Sequence, residues 1–223
     1  MLVWAREHGC PWDDSTCEEG ALCSAAAGGG HLEVLRWAHE HECPWDQFTC
    51  ESAASGGHME VLRWAREHHC EWSIDTCSQA AQGGHLEVLR WLRENDCPWD
   101  EGTCTSAARS GHLEVLQWAR AQNCPWDTRT CAMAAQGGNM EVLQWLREHH
   151  CPWDEGACAH AAQGGHLAVL QWAREHDCPW DGETRSIVTG TWRWIGGHMN
   201  TVLPRPHRGA TNARPQRCAG LLE

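Results

Sequence analysis

The sequence contains no lysine, and all 17 of its basic residues are arginine. It also has no apolar run near the roughly 20 residues that a membrane-spanning helix needs, so we expect no association with a membrane. The first ten residues, MLVWAREHGC, lack the charged start, apolar middle and cleavage site of a secretory signal peptide. We therefore expect a cytoplasmic or nuclear protein, in which the 15 cysteines remain thiols.

Signatures of the common enzyme classes are missing as well. The chain has no phosphate-binding GxxxxGK[ST] loop, no GxSxG nucleophile turn and no HExxH metal-binding helix. Carboxylates are plentiful, but they recur at fixed spacing, as Glu60, Glu87 and Glu114 do. A residue that recurs in every unit is expected to shape the unit, so the sequence predicts no catalytic activity and no cofactor.

The charge is divided unevenly along the chain. Residues 1–184 hold 11 arginines and 29 acidic residues, a net charge of −18, whereas residues 185–223 have a net charge of +5. An acidic body repels the phosphates of nucleic acids, so we expect no nucleic-acid partner. The segment 185–223 is rich in Arg, Pro and Gly, which predicts a degenerate repeat or a disordered tail.

What the sequence does have is a period of 27 residues. The same tryptophan recurs at Trp37, Trp64, Trp91, Trp118, Trp145 and Trp172. Full units begin at residues 31, 58, 85, 112, 139 and 166, after a partial first unit. A fixed period in this range is typical of stacked-repeat proteins. Residues 1–184 are therefore predicted to form one repeat domain.

Each unit predicts two helices. The apolar residues Met59, Val61, Leu62 and Trp64 fall on one face of a second helix. Glycine pairs end the first helix, and the Cys-Pro sequence after most second helices ends those. The expected N-caps of the first helices are Asp46, Ser73, Asp100, Asp127 and Asp154. The predicted fold is all-α, a solenoid of stacked antiparallel helix pairs.

One stretch of this pattern resembles a known family. Residues 53–62, AASGGHMEVL, resemble the ankyrin-repeat core, in which an Ala pair, a Gly-His junction and a Leu-Glu-Val-Val run recur. Thr49 resembles the Thr that opens the first ankyrin helix, and Cys70 falls where that family usually has the Ala of its Gly-Ala-Asp loop. The resemblance covers residues 2 to about 184, with six copies in register.

The units depart from this family in length. The usual ankyrin unit has about 33 residues, and most of the difference falls between Asp46 and Thr49, where ankyrin proteins carry a projecting β-turn finger. The resemblance therefore implies a right-handed stack with shortened or absent fingers. It also implies a scaffold that binds another protein.

Cysteine and histidine raise the alternative of a metal-binding module. Two cysteines recur seven residues apart, as Cys43 and Cys50 do, whereas structural zinc ligands are usually two to four residues apart. We therefore expect the cysteines to pack in the core, and a Cys/His metal module is the weaker alternative. A histidine opens most second helices, and Asn139 replaces it once. This exchange indicates a structural role at the helix start.

Tryptophan is abundant, and 14 of the 16 tryptophans occupy two repeat positions, those of Trp64 and Trp72. A ladder of exposed tryptophans is able to stack nucleic-acid bases or sugars. The acidic body and the apolar position of Trp64 favour packing between repeats instead.

Positions that vary from unit to unit indicate where specificity lies. In the resemblance to ankyrin proteins, the first helices line the concave side, so the variable residues of these helices form one strip. The residues predicted to contact a partner protein are Phe48, Ser52, Ile74, Asp75, Gln79, Gln82, Arg109, Arg129, Met133, Gln136, His160 and Gln163. The alternative is a structural or self-associating module that has no dedicated partner, because uncapped solenoid ends expose apolar surface.

Overall fold

The computed structural model describes residues 20–179, which form twelve α-helices and no strand. In chain order the helices are α1 (Ala21–Gly28), α2 (Leu32–Glu40), α3 (Gln47–Gly56), α4 (Met59–Glu67), α5 (Ile74–Gly83), α6 (Leu86–Glu94), α7 (Glu101–Ser110), α8 (Leu113–Ala121), α9 (Thr128–Gln136), α10 (Met140–Glu148), α11 (Glu155–Gln163) and α12 (Leu167–Glu175). They form six pairs of a first and a second helix. Residues 1–19 of the predicted partial first unit and the predicted tail at 185–223 lie outside the described residues, and α1 is the described helix of that first unit.

The first helices begin at the expected caps. A carboxylate oxygen of Asp46 accepts a hydrogen bond from the Phe48 N–H at 2.9 Å, and the Ser73 hydroxyl accepts one from the Asp75 N–H at 3.0 Å. Each bond satisfies a backbone donor that has no partner inside the helix. Each of these helices starts directly after its cap and residues 20–179 contain no strand, so the expected shortening or absence of the β-turn finger is confirmed in these units.

Proline does not determine where the second helices end. The unit that contains α4 has Glu71 where most others have Pro, yet α4 ends at Glu67 like its counterparts. His69 has a φ of 64°, in the left-handed region, and the Cys70 N–H donates back to the Ala65 carbonyl at 2.9 Å. This turn already closes the helix before residue 71 is reached.

Small residues let the first helices pack directly against one another along the whole stack. Ala53, Ala54, Ala80 and Ala81 are fully buried between them. The second helices of adjacent units lie farther apart from one another. Because the first-helix layer is the tighter one, we infer that the stack curves with the first helices on its inner side.

Glycine and histidine join each unit to the one before it. The Nε2 atom of His58 lies 3.0 Å from the Gly28 carbonyl oxygen, and that of His85 lies 3.0 Å from the Ser55 carbonyl oxygen. Neither side chain caps its own helix, so the structural role expected of these histidines is carried out between units. Each histidine instead satisfies a free carbonyl at the C-terminal end of the preceding first helix.

Asn139 makes the same connection as the histidines. Its Nδ2 atom donates to the carbonyl oxygens of Arg109 at 2.8 Å and Ala108 at 2.9 Å, both at the end of α7. The exchange of His for Asn therefore preserves the bond between units, because both side chains carry an N–H at the required place.

The tryptophans form a ladder on the second-helix side. Each loop tryptophan packs edge-to-face against the tryptophan of the following second helix, with ring centroids 5.6–6.1 Å apart. The pairs are Trp45–Trp64, Trp72–Trp91, Trp99–Trp118, Trp126–Trp145 and Trp153–Trp172. All of these rings are partly buried against the core, so the expected packing between repeats is confirmed.

Candidate functional site

The first-helix surface, defined as the exposed side of α3, α5, α7, α9 and α11, holds all twelve residues that were predicted to contact a partner. None of the twelve is buried. Seven are exposed: Phe48, Ile74, Asp75, Gln82, Arg109, Arg129 and Gln163. Five are partly buried: Ser52, Gln79, Met133, Gln136 and His160. Because these helices pack side by side, the structure brings the twelve residues onto one continuous layer.

Two large apolar side chains protrude from one end of this surface. Phe48 is 53% exposed and Ile74 is 44% exposed, and only Leu167, on α12, joins them as an exposed large apolar residue within the described part of the chain. Phe48 is the second residue of α3 and Ile74 is the first residue of the adjacent α5. Both therefore project from the N-terminal turns of neighbouring helices. Met133, the third predicted apolar contact, is partly buried instead.

The surface near Phe48 and Ile74 is acidic. Glu51 lies between the helices with only 7% of its surface exposed, and its carboxylate accepts a hydrogen bond from the Ser73 hydroxyl at 2.8 Å. Burial raises the pKa of Glu51, and the charges of Asp75 and Asp46 raise it further, while the hydrogen bond opposes them. Asp46 lies two residues before Phe48 and Asp75 directly follows Ile74, so carboxyl groups lie near both apolar side chains along the chain.

The later units carry a different charge. Arg109 on α7 and Arg129 on α9 are both exposed, and neither makes an ion pair with a described residue. His160 on α11 bonds back to the Gly156 carbonyl at 2.8 Å, which fixes the direction of its ring. The first-helix surface therefore carries acidic and apolar side chains in α3 and α5, charges of both signs in α7, where Glu101 is exposed as well, and an exposed arginine in α9.

The cysteines are arranged differently from their spacing along the chain. Cys50 lies beside Cys70, twenty residues later, with its sulfur 4.0 Å from the Cys70 carbonyl oxygen. The sulfur of Cys70 lies 3.2 Å from the Asp46 carbonyl oxygen. Cys50 therefore pairs with Cys70 and not with Cys43, the cysteine seven residues before it in the sequence. The reason is that the helix pair folds the chain back on itself.

The same pairing recurs in the later units. The further pairs are Cys77–Cys97, Cys104–Cys124, Cys131–Cys151 and Cys158–Cys178. All eight are buried. Hydrogen bonding to Cys97, together with burial, raises the pKa of the Cys77 thiol. Among residues 20–179, no three His, Cys, Asp or Glu side chains come together as a possible metal site.

A second concave surface, which sequence reasoning missed, lies on the opposite side of the stack. We define the outer groove as the open cavity of about 450 Å³ that is lined by Arg63, Arg66, Glu67, Trp72, Trp91 and Asn95. It lies between α4 and α6, at the joint covered by a tryptophan pair. The sequence does contain a signal for this surface. The repeat position of Arg63 is Arg in three units and Gln in the next three, so it varies from unit to unit.

Comparison with known proteins identifies the fold. No protein-family model matches the sequence, and no curated protein matches it. The chain is similar in structure to the ankyrin-repeat domain of human ASB11, with a TM-score of 0.54 and 15% sequence identity. The similarity covers 70% of this chain and 83% of that domain. At this identity the likeness shows the fold alone, so the chain has an ankyrin-repeat fold. None of the helices within residues 20–179 has the length and apolar character needed to cross a membrane.

Proposed function

We propose that this chain is a non-enzymatic scaffold that binds a partner protein through its first-helix surface. The observation that carries the proposal is the exposure of Phe48 and Ile74 at the same end of two adjacent helices. Exposed apolar side chains rimmed by polar groups are typical of interaction sites, where they supply most of the binding energy.

The partner segment has a complementary chemistry. Asp46 lies two residues before Phe48 and Asp75 directly follows Ile74, so a segment with an apolar side chain next to a lysine or arginine matches this end. Arg129 on α9 prefers an acidic residue farther along the same segment. The acidic residues at α3 and α5 and the arginine on α9 give the bound segment one direction.

Rigidity of the stack supports this role. The bonds from His58, His85 and Asn139 fix each unit to the one before it, so the first helices are already in place before a partner arrives. A preorganised surface loses little conformational entropy on binding, and the contacts then contribute more of their free energy to the affinity.

The experiment is a pull-down from native lysate with the full chain as bait. The test variant replaces four residues with serine: Phe48, Ile74, Arg129 and Met133. A matched control, Leu167→Ser, removes the exposed apolar side chain on α12, outside the first-helix surface. Circular dichroism checks the fold of both variants.

We expect a protein that is retained by the unchanged chain and by the control but is lost from the test variant. Equal retention by all three baits excludes the first-helix surface as the binding site. If no bait retains a protein, and sedimentation shows an association of the chain that depends on its concentration, the chain is a self-associating module instead.

A further inference from the structure

The outer groove contains a cation without a counter-ion. Arg66 is fully engaged, because its guanidinium stacks over the Trp72 ring at 3.8 Å and donates to the Cys70 carbonyl oxygen. Arg63 lies 5.9 Å from the centre of the Trp91 ring and makes no ion pair or hydrogen bond with any described residue. Its charge is therefore available to a ligand in the groove.

The equivalent arginines in neighbouring units are compensated. Arg36 lies 3.8 Å from the carboxylate of Glu33, and Arg90 lies 3.2 Å from that of Glu87. The next three units have no charge at this position, since the residues there are Gln117, Gln144 and Gln171. Arg63 thus differs from Arg36 and Arg90 in making no ion pair with a described residue, although Glu60 holds the position equivalent to Glu33 and Glu87.

The walls of the groove suit a short peptide segment. Its volume of about 450 Å³ lies within the range of about 300–1,000 Å³ that small-ligand pockets have. Trp72 and Trp91 meet edge-to-face with centroids 6.0 Å apart, and their rings form an apolar corner. Such a corner accepts an aliphatic side chain, while Arg63 at the rim faces the polar group next to it.

The net charge of the side chains that line the groove indicates the charge of its ligand. Arg63 and Arg66 contribute two positive charges to the lining and Glu67 contributes one negative charge, which leaves one positive charge to be balanced. A single carboxylate balances it, whereas a phosphate dianion exceeds it. The described chain as a whole also disfavours polyanions, because it holds 10 arginines against 22 acidic residues.

We propose that the outer groove is a second docking site, which binds an acidic segment of a partner protein. A glutamate or aspartate carboxylate pairs with Arg63, and an adjacent aliphatic side chain packs in the corner of Trp72 and Trp91. The site lies on the second-helix side and is independent of the first-helix surface.

Titration of the full chain with two synthetic peptides tests this site. The probe is acetyl-Leu-Glu-Leu-amide, and the control is acetyl-Leu-Gln-Leu-amide, which has the same shape without the charge. Binding is followed by NMR through the indole N–H signals of Trp72 and Trp91, which are assigned with Trp72→Phe and Trp91→Phe variants. We expect the Glu peptide to bind about fivefold or more tightly than the Gln peptide, since a charge-assisted hydrogen bond distinguishes them.

The matched variant is Arg63→Gln, which places at this position the residue that three later units already have. It is expected to abolish the preference for the Glu peptide, whereas Arg90→Gln is expected to leave it unchanged. In the unchanged chain, 1 M NaCl is expected to reduce the preference, since salt at about this concentration screens charges beyond about 3 Å.

Four results overturn the proposal. The first is equal binding of the two peptides to the unchanged chain, and the second is a preference that survives in Arg63→Gln. The third is tighter binding of acetyl-Leu-phosphoserine-Leu-amide than of the Glu peptide, which assigns the groove to phosphorylated segments. The fourth is a dimer of the unchanged chain, seen by sedimentation, that Arg63→Gln dissociates. In that case the groove binds a second copy of this chain and not a partner protein.

Discussion

The Nε2 atom of His85 lies 3.0 Å from the backbone carbonyl oxygen of Ser55, thirty residues earlier and in the preceding unit. The equivalent bond from His112 to the Gln82 carbonyl oxygen is 3.1 Å long. Free carbonyls at the ends of first helices are thus satisfied by the next unit. The interface between units therefore contains directional bonds in addition to apolar packing.

Replacing His85 tests the strength of this bond. We expect His85→Ala to lower the free energy of unfolding by about 1–2 kcal/mol, because a partly buried carbonyl loses its partner. His85→Asn is expected to retain most of the stability, since Asn139 makes the same connection at 2.8 Å. Urea unfolding of the full chain measures both variants. An Asn variant as unstable as the Ala variant contradicts the assigned role.

Replacing Gly57 tests the space that this histidine needs. Gly57 has a φ of 75°, and a Cβ atom there falls 2.5 Å from Nδ1 of His85. Gly165 has a φ of 74°, and no atom of a residue within 20–179 lies within 4 Å of the Cβ added there. We expect Gly165→Ala to cost about 1 kcal/mol from backbone strain alone.

Gly57→Ala is expected to cost clearly more, because the steric clash with His85 adds to the same strain. Thermal unfolding compares the two variants. The double variant Gly57→Ala/His85→Ala is expected to be more stable than the sum of its single changes indicates, because the second change removes the clash. Equal losses for Gly57→Ala and Gly165→Ala rule out the clash.

The buried carboxyl of Glu51 makes stability depend on pH. Because folding raises its pKa, the folded state favours the protonated form. This contribution is fully present below the ordinary glutamate pKa and is lost as the pH rises through the folded-state pKa. The stability that protonated Glu51 contributes at acidic pH is therefore lost towards alkaline pH.

Glu51→Gln removes the charge and keeps an oxygen for the Ser73 hydroxyl. We expect the variant to melt at a higher temperature than the unchanged chain at pH 7.5. The difference is expected to shrink towards pH 4, where Glu51 is protonated in both states. Thermal unfolding at the two pH values measures it, and a difference that is constant with pH contradicts the assignment.

Burial of the cysteines predicts low reactivity towards alkylating reagents. Cys77 is fully buried and its thiol pKa is raised, so little reactive thiolate forms, whereas Cys43 is partly exposed. We expect iodoacetamide to modify Cys77 at least about tenfold more slowly than Cys43. Mass spectrometry of digested protein measures both rates. In urea the two rates are expected to converge, and a fast reaction of Cys77 in the folded chain is the contrary result.

Most of the local structure of the described units follows from the sequence. The period of 27 residues places the units, Asp46 and Ser73 are caps because their side chains accept backbone N–H groups, and the alanine pairs predict close helix packing. The exposure of Phe48 and Ile74 was predicted too, because apolar residues at variable first-helix positions face away from the shared core. Each of these properties depends on neighbours along the chain or on the helical period.

Only the tertiary structure decided which residues meet between units. The bond from His85 to Ser55 spans thirty residues, Cys50 meets Cys70 instead of Cys43, and the outer groove joins Arg63 to Trp91. Such contacts depend on how far one helix pair is shifted and rotated against the next. A repeated sequence determines that identical units stack, but it does not specify that shift, because the shift results from the packing of all buried side chains together.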